Sequence, residues 1–449
     1  MTTTLLEPEV KTIPQSIVTA SKKRYAIVGL GARARMFTDA IASQYNDVAE
    51  IVGLCDISPT RIEWHNNRLH ELHGHGPVEG FGADEFEAMI ERKQVDVVIV
   101  TTMDVLHHEY IVRAMNAGCD VIVEKPMTID AEKAAIIHET MQRTGRHLSV
   151  TFNVRYQPLS TKVRELIAGG VIGKPLSVNL NYSLDTKHGA DYFRRWHRDK
   201  ANSGGLLVHK ATHHFDLVNW LIDSVPEEVF AFGDLKFYGK EAAEGRGENY
   251  DYERYTGSEA SKNDPFAMRL DESDYTRTLY LNAENEGGYV RDKNVFGSGI
   301  TIEDTMGVLV RYRNGAIMNY SLIAYAPQEA YELYITGDKG RIEVRFYRTP
   351  HTLDENFQIK NEMVDKYTVR VFPMFREAYD VEIPKAEGSH GGGDVLMLEH
   401  LLSGKEIDDP LHRYATYEDG LASLGLGIAA NEAIATGKPV RVSEVVAMD

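Results

Sequence analysis

From Tyr25 to about Asn153, short runs of β-branched and other apolar residues alternate with amphipathic stretches. The runs read YAIVGL, AEIVGLCD, VDVVIVTT, CDVIVE and HLSVTF. Between them, near Arg33 to Gln44, Glu85 to Lys93, Leu106 to Asn116 and Ala131 to Arg143, apolar residues recur at helical spacing. This alternation predicts a parallel sheet with crossover helices, a doubly wound α/β domain over residues 23–153.

After Pro158 the period changes to two: Val178, Leu180, Tyr182 and Leu184 alternate with Ser177, Asn179, Asn181 and Ser183. Such strands have one wet face. Asn314-Gly315 lies between two alternating runs in VLVRYRNGAIMNYSL, and ELYITGDKGRIEVR carries another Gly-flanked turn, so both read as hairpins. Residues 154–449 are therefore expected to form an α+β domain with a mostly antiparallel, open sheet, serving substrate binding and oligomer contacts. The stretch 240–299 is polar, rich in Gly, Glu and Tyr, and too long for a plain connection, which leaves an insertion, a lid or a partner arm. VLMLEHLL and EDGLASLGLGIAANEAIA read as two helices that return to cover the parallel domain.

A chain of 449 residues exceeds one hydrophobic core, which agrees with two domains. The net charge of −18 repels phosphate backbones and anionic membranes, so neither nucleic acid nor membrane is an expected partner. The two cysteines, Cys55 and Cys119, fall in apolar runs and read as buried thiols. Residues 1–22 are a polar tail with no apolar signal region, and the expected location is the cytoplasm.

The first apolar run ends in GLGARA, which sets Gly29, Gly31 and Ala34 in a G-x-G-x-x-A pattern at a strand-to-helix turn. Glycines there let backbone approach a pyrophosphate, and the helix N-terminus adds partial positive charge beside Ala32 and Arg33. Tight βα turns also need glycine for steric reasons alone. Asp56, 25 residues after Gly31, ends the second run, where a carboxylate can take the adenosine ribose hydroxyls and repel a 2′-phosphate. NAD is therefore expected over NADP, although Ser58 and Arg61 are groups able to accept a phosphate; Asp56 also reads as an N-cap for the segment after it.

Four further segments extend this Rossmann signature: TMDVLH from Thr102 to His107, VEKP from Val123 to Pro126, NVRYQP from Asn153 to Pro158, and a GG-(x)7-H-x-x-D run from Gly204 to Asp216. Together they closely resemble the Gfo/Idh/MocA family. That resemblance implies nicotinamide-dependent hydride transfer at a secondary alcohol of a sugar or cyclitol, with Lys125 beside the nicotinamide and Thr102, His107 and Glu124 at the strand ends where the cofactor lies. It maps the catalytic histidine to His213 and its usual partner aspartate to position 209. Here that position is His209, and the usual glycine two residues later is Ala211.

Oxidising an alcohol needs a base at the hydroxyl proton, and a partly desolvated Lys125 beside a cationic ring has its pKa lowered toward neutrality. On one helix, His209, His213, Asp216 and Trp220 would share a stripe, with Asp216 fixing the tautomer of His213. The same histidines have i, i+4 metal-ligand spacing, but no further ligand cluster accompanies them, so no metal is expected. Arg155, Arg195, His197 and His213 are the substrate-binding candidates, and His390 in SHGGGD is a late-loop one. The expected activity interconverts a hydroxyl and a ketone on a sugar, glycoside or cyclitol, for instance at C3 of a pyranoside. The alternatives are a hydrolase or lyase acting by transient oxidation and elimination, and an NAD-binding regulator. The expected assembly is a homodimer or homotetramer.

Overall fold

The computed structural model describes residues 21–355, 359–384 and 390–447, so all but the end of the expected tail over 1–22 lies outside the described residues. The first domain is a six-stranded sheet of β1 (Lys23–Val28), β2 (Ala49–Cys55), β3 (Gly80–Phe81), β4 (Val97–Val100), β5 (Asp120–Val123) and β6 (Leu148–Val150). Every pairing is parallel and the order is β3-β2-β1-β4-β5-β6. The order reverses between β1 and β4, and ligands of open α/β sheets bind above that point at the carboxyl ends of the strands.

Helices α1 (Ala34–Ala42), α2 (Pro59–His73), α3 (Phe86–Lys93), α4 (His107–Asn116) and α5 (Ala131–Thr144) connect the strands. The apolar pattern does not reveal α2, because only His65 and Leu69 of its 15 residues are buried. Its end signals are strong all the same. Ser58 caps it by accepting from the Arg61 amide, Pro59 begins it, and Gly74 ends it at φ 63°. Ser58, not Asp56, is therefore the cap.

The second sheet has nine strands, adding β7 (Pro175–Asp185), β8 (Pro226–Asp234), β9 (Thr305–Tyr312), β10 (Ile317–Ala326), β11 (Ala330–Gly337), β12 (Gly340–Arg348), β13 (Asp365–Pro373), β14 (Tyr379–Val381) and β15 (Val440–Arg441). Both hairpins form, β9 with β10 around Asn314-Gly315 and β11 with β12. The sheet is antiparallel except where β7 runs parallel to β10. Its open face carries Phe232, 70% exposed, with Leu176, Leu309 and Ile317.

The C-terminal helices tie the domains together. Gly393–Leu402 sends Leu398 and Leu402 into the core of the first domain beside Phe37 and Ile41. Tyr417–Thr436 packs on β8 and on helix Thr212–Ile222, and the Val150 amide donates to Ala415 O at its approach. The 240–299 stretch is an insertion that folds onto its own chain. Asp304, fully buried, fixes its entry by accepting from the amides of Lys236, Phe237 and Tyr238 at 2.9, 2.7 and 2.9 Å. Farther on, Leu270, Leu279 and Tyr280 form a small core with Trp64 of α2 at its margin.

Arg155 is the node between these parts. Its Nε and Nη2 donate to Asp216 at 2.9 and 2.5 Å, and Nη2 also reaches Asp419 at 2.7 Å, with 2% of the side chain exposed. Two expectations are corrected here. Arg155 does not line the cleft but pairs with the Asp216 carboxylate, and the stretch expected as one helix breaks at Lys210–Ala211, which separates His209 on Leu206–His209 from His213 and Asp216 on Thr212–Ile222. Asp216→Ala is expected to remove about 3 kcal/mol of stability by leaving a buried cation with only the partly exposed Asp419 to oppose it, whereas Arg155→Met/Asp216→Leu should recover at least half of that loss. Calorimetric unfolding of the three proteins is the check.

Candidate active site

The turns at the carboxyl ends of β1, β4 and β5 build one rim. Gly29 has φ 85°, and a Cβ there would lie 2.6 Å from the Thr102 amide nitrogen, so only glycine lets the two turns meet. Thr101 Oγ1 donates to Gly29 O at 2.6 Å, and His107 lies with Nδ1 2.8 Å from Pro126 O, to which its single N–H donates, and Nε2 3.3 Å from Thr102 O. His107 is 1% exposed and burial pushes its pKa down to about 4, so it acts as a neutral brace behind the cofactor position.

Asp56 accepts from the Leu30 amide at 2.6 Å and the Ser58 amide at 2.9 Å, which holds it against the glycine turn. Burial raises its carboxyl, while Arg61, at 3.6 Å, and the two amides oppose that shift. Arg33 donates through Nε to Glu124 at 2.5 Å and lies 3.7 Å from Asp394, so it binds the β1 rim to the β5 rim. The Ala32 amide donates to Tyr280 Oη of the insertion at 3.0 Å.

Lys125 follows β5 through a cis bond to Pro126, and its Nζ donates to His209 O at 3.2 Å. Burial lowers its pKa to about 8, with Asp104 and Glu124 acting in the opposite direction. His209 Nδ1 meets Asp104 Oδ2 at 2.5 Å. Burial raises the Asp104 carboxyl and depresses the His209 imidazole, disfavouring the charged form of each. Asp104, from the β4 turn, thus sets a carboxylate against the side chain at position 209.

The second domain completes the wall. His197, 2% exposed, stacks on Trp196 at 3.6 Å and meets the His209 ring edge-on at 4.2 Å. Arg195 pairs with Asp191 at 2.9 Å, and the carboxyl of Asp191 falls to about 2 against burial because Arg195, Arg291 and Arg194 surround it. His213 stands half-buried near the start of Thr212–Ile222 with its ring edge toward Phe152. His188 Nδ1 lies 2.9 Å from Glu329 Oε1, and its Nε2 lies 3.1 Å from Tyr192 Oη. Arg195, Trp196, His197, His209, His213, His188, Tyr192 and Glu329 line a single cleft of about 1300 Å³ that runs from Asp56 past Gly31, Thr102 and Lys125 to His213.

The structure therefore brings together Gly29, Gly31, Ala32, Arg33, Asp56, Arg61, Thr102, His107, Glu124, Lys125, Arg195, His197, His209 and His213, and leaves Arg155 outside. The side chain of His390 lies outside the described residues. Among the described residues no three His, Cys, Asp or Glu side chains are grouped to hold a metal. Sequence reasoning missed Asp104, although TMDVLH contains it, along with Lys210, Glu329 and the insertion residues Tyr280, Tyr289 and Arg291 that also line the cleft. No local signal marks these last groups, since only tertiary folding brings them to the cleft. No described helix is long and apolar enough to cross a membrane.

A glycine cradle at the switch point, a carboxylate ending β2 and a buried lysine ending β5 define a two-domain dinucleotide-binding enzyme. Models of an oxidoreductase family match residues 23–152 as its NAD-binding Rossmann fold and residues 164–442 as its C-terminal α/β domain. The chain belongs to the Gfo/Idh/MocA oxidoreductase family. It is 37% identical over 447 residues to YteT of Bacillus subtilis, named as an oxidoreductase, covering 95% of this chain and 99% of that one. It is 30% identical over 160 residues to D-glucoside 3-dehydrogenase of Escherichia coli, covering 36% of this chain and 43% of that one. The same fold occurs in aldose-aldose oxidoreductase of Caulobacter crescentus, at TM-score 0.60, 18% identity and coverage of 94% and 100%. WlbA dehydrogenase of Bordetella pertussis, in complex with NADH and UDP-GlcNAcA, matches at TM-score 0.61, 20% identity and coverage of 96% and 100%.

Site-specific 15N NMR titration of Lys125 is expected to show a midpoint near 8, below the ordinary 10.5, with the free amine present above it. A midpoint above 10 would contradict the desolvation described here.

Proposed function

We propose that the chain is an NAD-dependent oxidoreductase that interconverts a secondary hydroxyl and a ketone on a sugar or glycoside. The observation that carries this reading is the Lys125 amine, lowered to about 8, beside the Asp104–His209 pair in the cleft that begins at Gly29 and Asp56. The residues at the rim fit a dinucleotide: backbone free of a Cβ at Gly31, where only Tyr280 Oη comes within 4 Å, would meet the pyrophosphate, and Asp56 the adenosine ribose. When bound there, the nicotinamide supplies hydride exchange with a carbon of the substrate.

Lys125 takes the hydroxyl proton in oxidation and returns it in reduction. Its low pKa places both amine forms within reach near neutral pH. The Asp104–His209 pair holds His209 in one orientation beside it, and His213 donates or accepts at the opposite rim. Arg195, fixed by Asp191, and His197 supply donors for further hydroxyls. The substrate class is supported by the relatives named D-glucoside 3-dehydrogenase and, over 206 residues at 30% identity, glucose-6-phosphate 3-dehydrogenase of Bacillus subtilis. Both are matched over about half of their own length, 43% and 54%, which supports chemistry more than a particular sugar.

One observation favours a second reading. The His188–Glu329 pair, with Tyr192 on the far imidazole nitrogen, is an additional proton donor in the same cleft. Transient oxidation followed by elimination of an aglycone needs such a group, and simple alcohol oxidation does not.

Incubating the protein with a panel of free sugars and glycosides, with and without added NAD, separates the readings. NADH formation that depends on added NAD supports the dehydrogenase, and aglycone release without net NADH supports the elimination route. For the oxidation, kcat should rise about tenfold per pH unit at low pH and level off above about 8, as the amine loses its proton. Lys125→Met should lower kcat by about 10²–10⁴-fold and abolish that profile.

A further inference from the structure

Selecting NAD over NADP means refusing one dianionic phosphate on the adenosine ribose, next to the end of β2. The donors able to hold such a phosphate gather at the start of α2: the Ser58 hydroxyl, the Thr60 amide and hydroxyl, and the Arg61 guanidinium. In this protein each is already engaged. The Glu286 carboxylate, from the insertion, accepts from the Ser58 hydroxyl, from the Thr60 amide at 3.3 Å and from the Thr60 hydroxyl at 2.5 Å. Arg61 Nε donates to Leu279 O at 3.2 Å, also in the insertion, and its Nη1 lies 3.6 Å from Asp56.

Glu286 is held from both sides. Upstream, Tyr280 Oη accepts from the Ala32 amide. Within its own short turn, Glu284 takes two hydrogen bonds from Arg254 at 2.9 and 2.7 Å. Downstream, Gly287 lies so near the turn before α2 that a Cβ would meet Ile57 Cδ1 at 2.8 Å. Ser58 itself is fully buried, so its hydroxyl has no solvent to turn to in place of the carboxylate.

We propose that Glu286 is a second determinant of cofactor choice, whose carboxylate fills the ground a 2′-phosphate needs and restricts the crevice to NAD. Asp56 alone leaves the donors of α2 open to a phosphate. Asp56 and Glu286 together confront it with two carboxylates, with the Ser58 and Thr60 donors already taken and the Arg61 guanidinium held by Leu279 O and Asp56. The insertion thereby acts on specificity from outside the Rossmann domain. This inference rests on the reading of the crevice as a dinucleotide site.

The test is equilibrium dialysis of the full-length protein against equal concentrations of NAD and NADP, with both nucleotides quantified in the protein compartment after denaturation. The wild type should hold NAD almost exclusively. Glu286→Ser, which removes the carboxylate and releases Ser58 and Thr60, should raise the bound NADP-to-NAD ratio by about tenfold or more, as expected for losing one unit of like charge at close range. Glu286→Gln, which keeps the size and one acceptor, should move the ratio the same way by less, and it decides the matter if the serine variant does not fold. An unchanged ratio in variants that still bind NAD would overturn the proposal. A wild type that retains neither nucleotide would overturn the dinucleotide reading and this inference with it, and it is recognised by empty protein rather than by an unaltered ratio.

Discussion

The turn after β1 lies against the turn after β4 at a separation that no side chain at position 29 permits. The rest of the site depends on that contact. It places the end of β1 beside Thr101 and Thr102, and His107 carries the connection on to Pro126. Asp104 and Lys125, from different strand ends, become neighbours only because these turns are locked together. A larger residue at 29 would part the rim, and the proton-handling groups would separate with it.

Against this rigid rim the second domain sets a layer of buried ionisable groups, each matched to an opposite. Asp104 meets His209, Asp191 meets Arg195, and Glu329 meets His188. Taking such groups out of water is unfavourable unless they are paired. Lys125 differs. Its nitrogen donates to a backbone carbonyl, and the carboxylates nearby offset only part of the desolvation. It is the group in the cleft best suited to change charge near neutral pH.

The architecture was legible where periodicity and end signals are local. Runs such as VDVVIVTT marked the parallel strands, the Asn314-Gly315 turn marked a hairpin, and GLGARA with Asp56 marked the crevice. Helix α2 was missed because its apolar stripe is thin, although Ser58, Pro59 and Gly74 carried its boundaries. The pairing of Arg155 with Asp216 and Asp419 was not legible, since it joins residues 61 and 264 positions apart, and the stripe of His209, His213 and Asp216 does not disclose the helix break that removes His209 from it. The same holds for Asp104 and His209, 105 positions apart, and for an insertion whose polar composition says nothing of where it lands.

That landing place matters beyond selectivity. The wall over the crevice, from Leu279 to Arg291, comes from the same polypeptide as the glycine turn it covers. A grip on the nucleotide contributed by this wall would be first order in protein. It does not weaken on dilution, as it would if a neighbouring molecule supplied the wall, and a scarce enzyme keeps this contribution as fully as an abundant one.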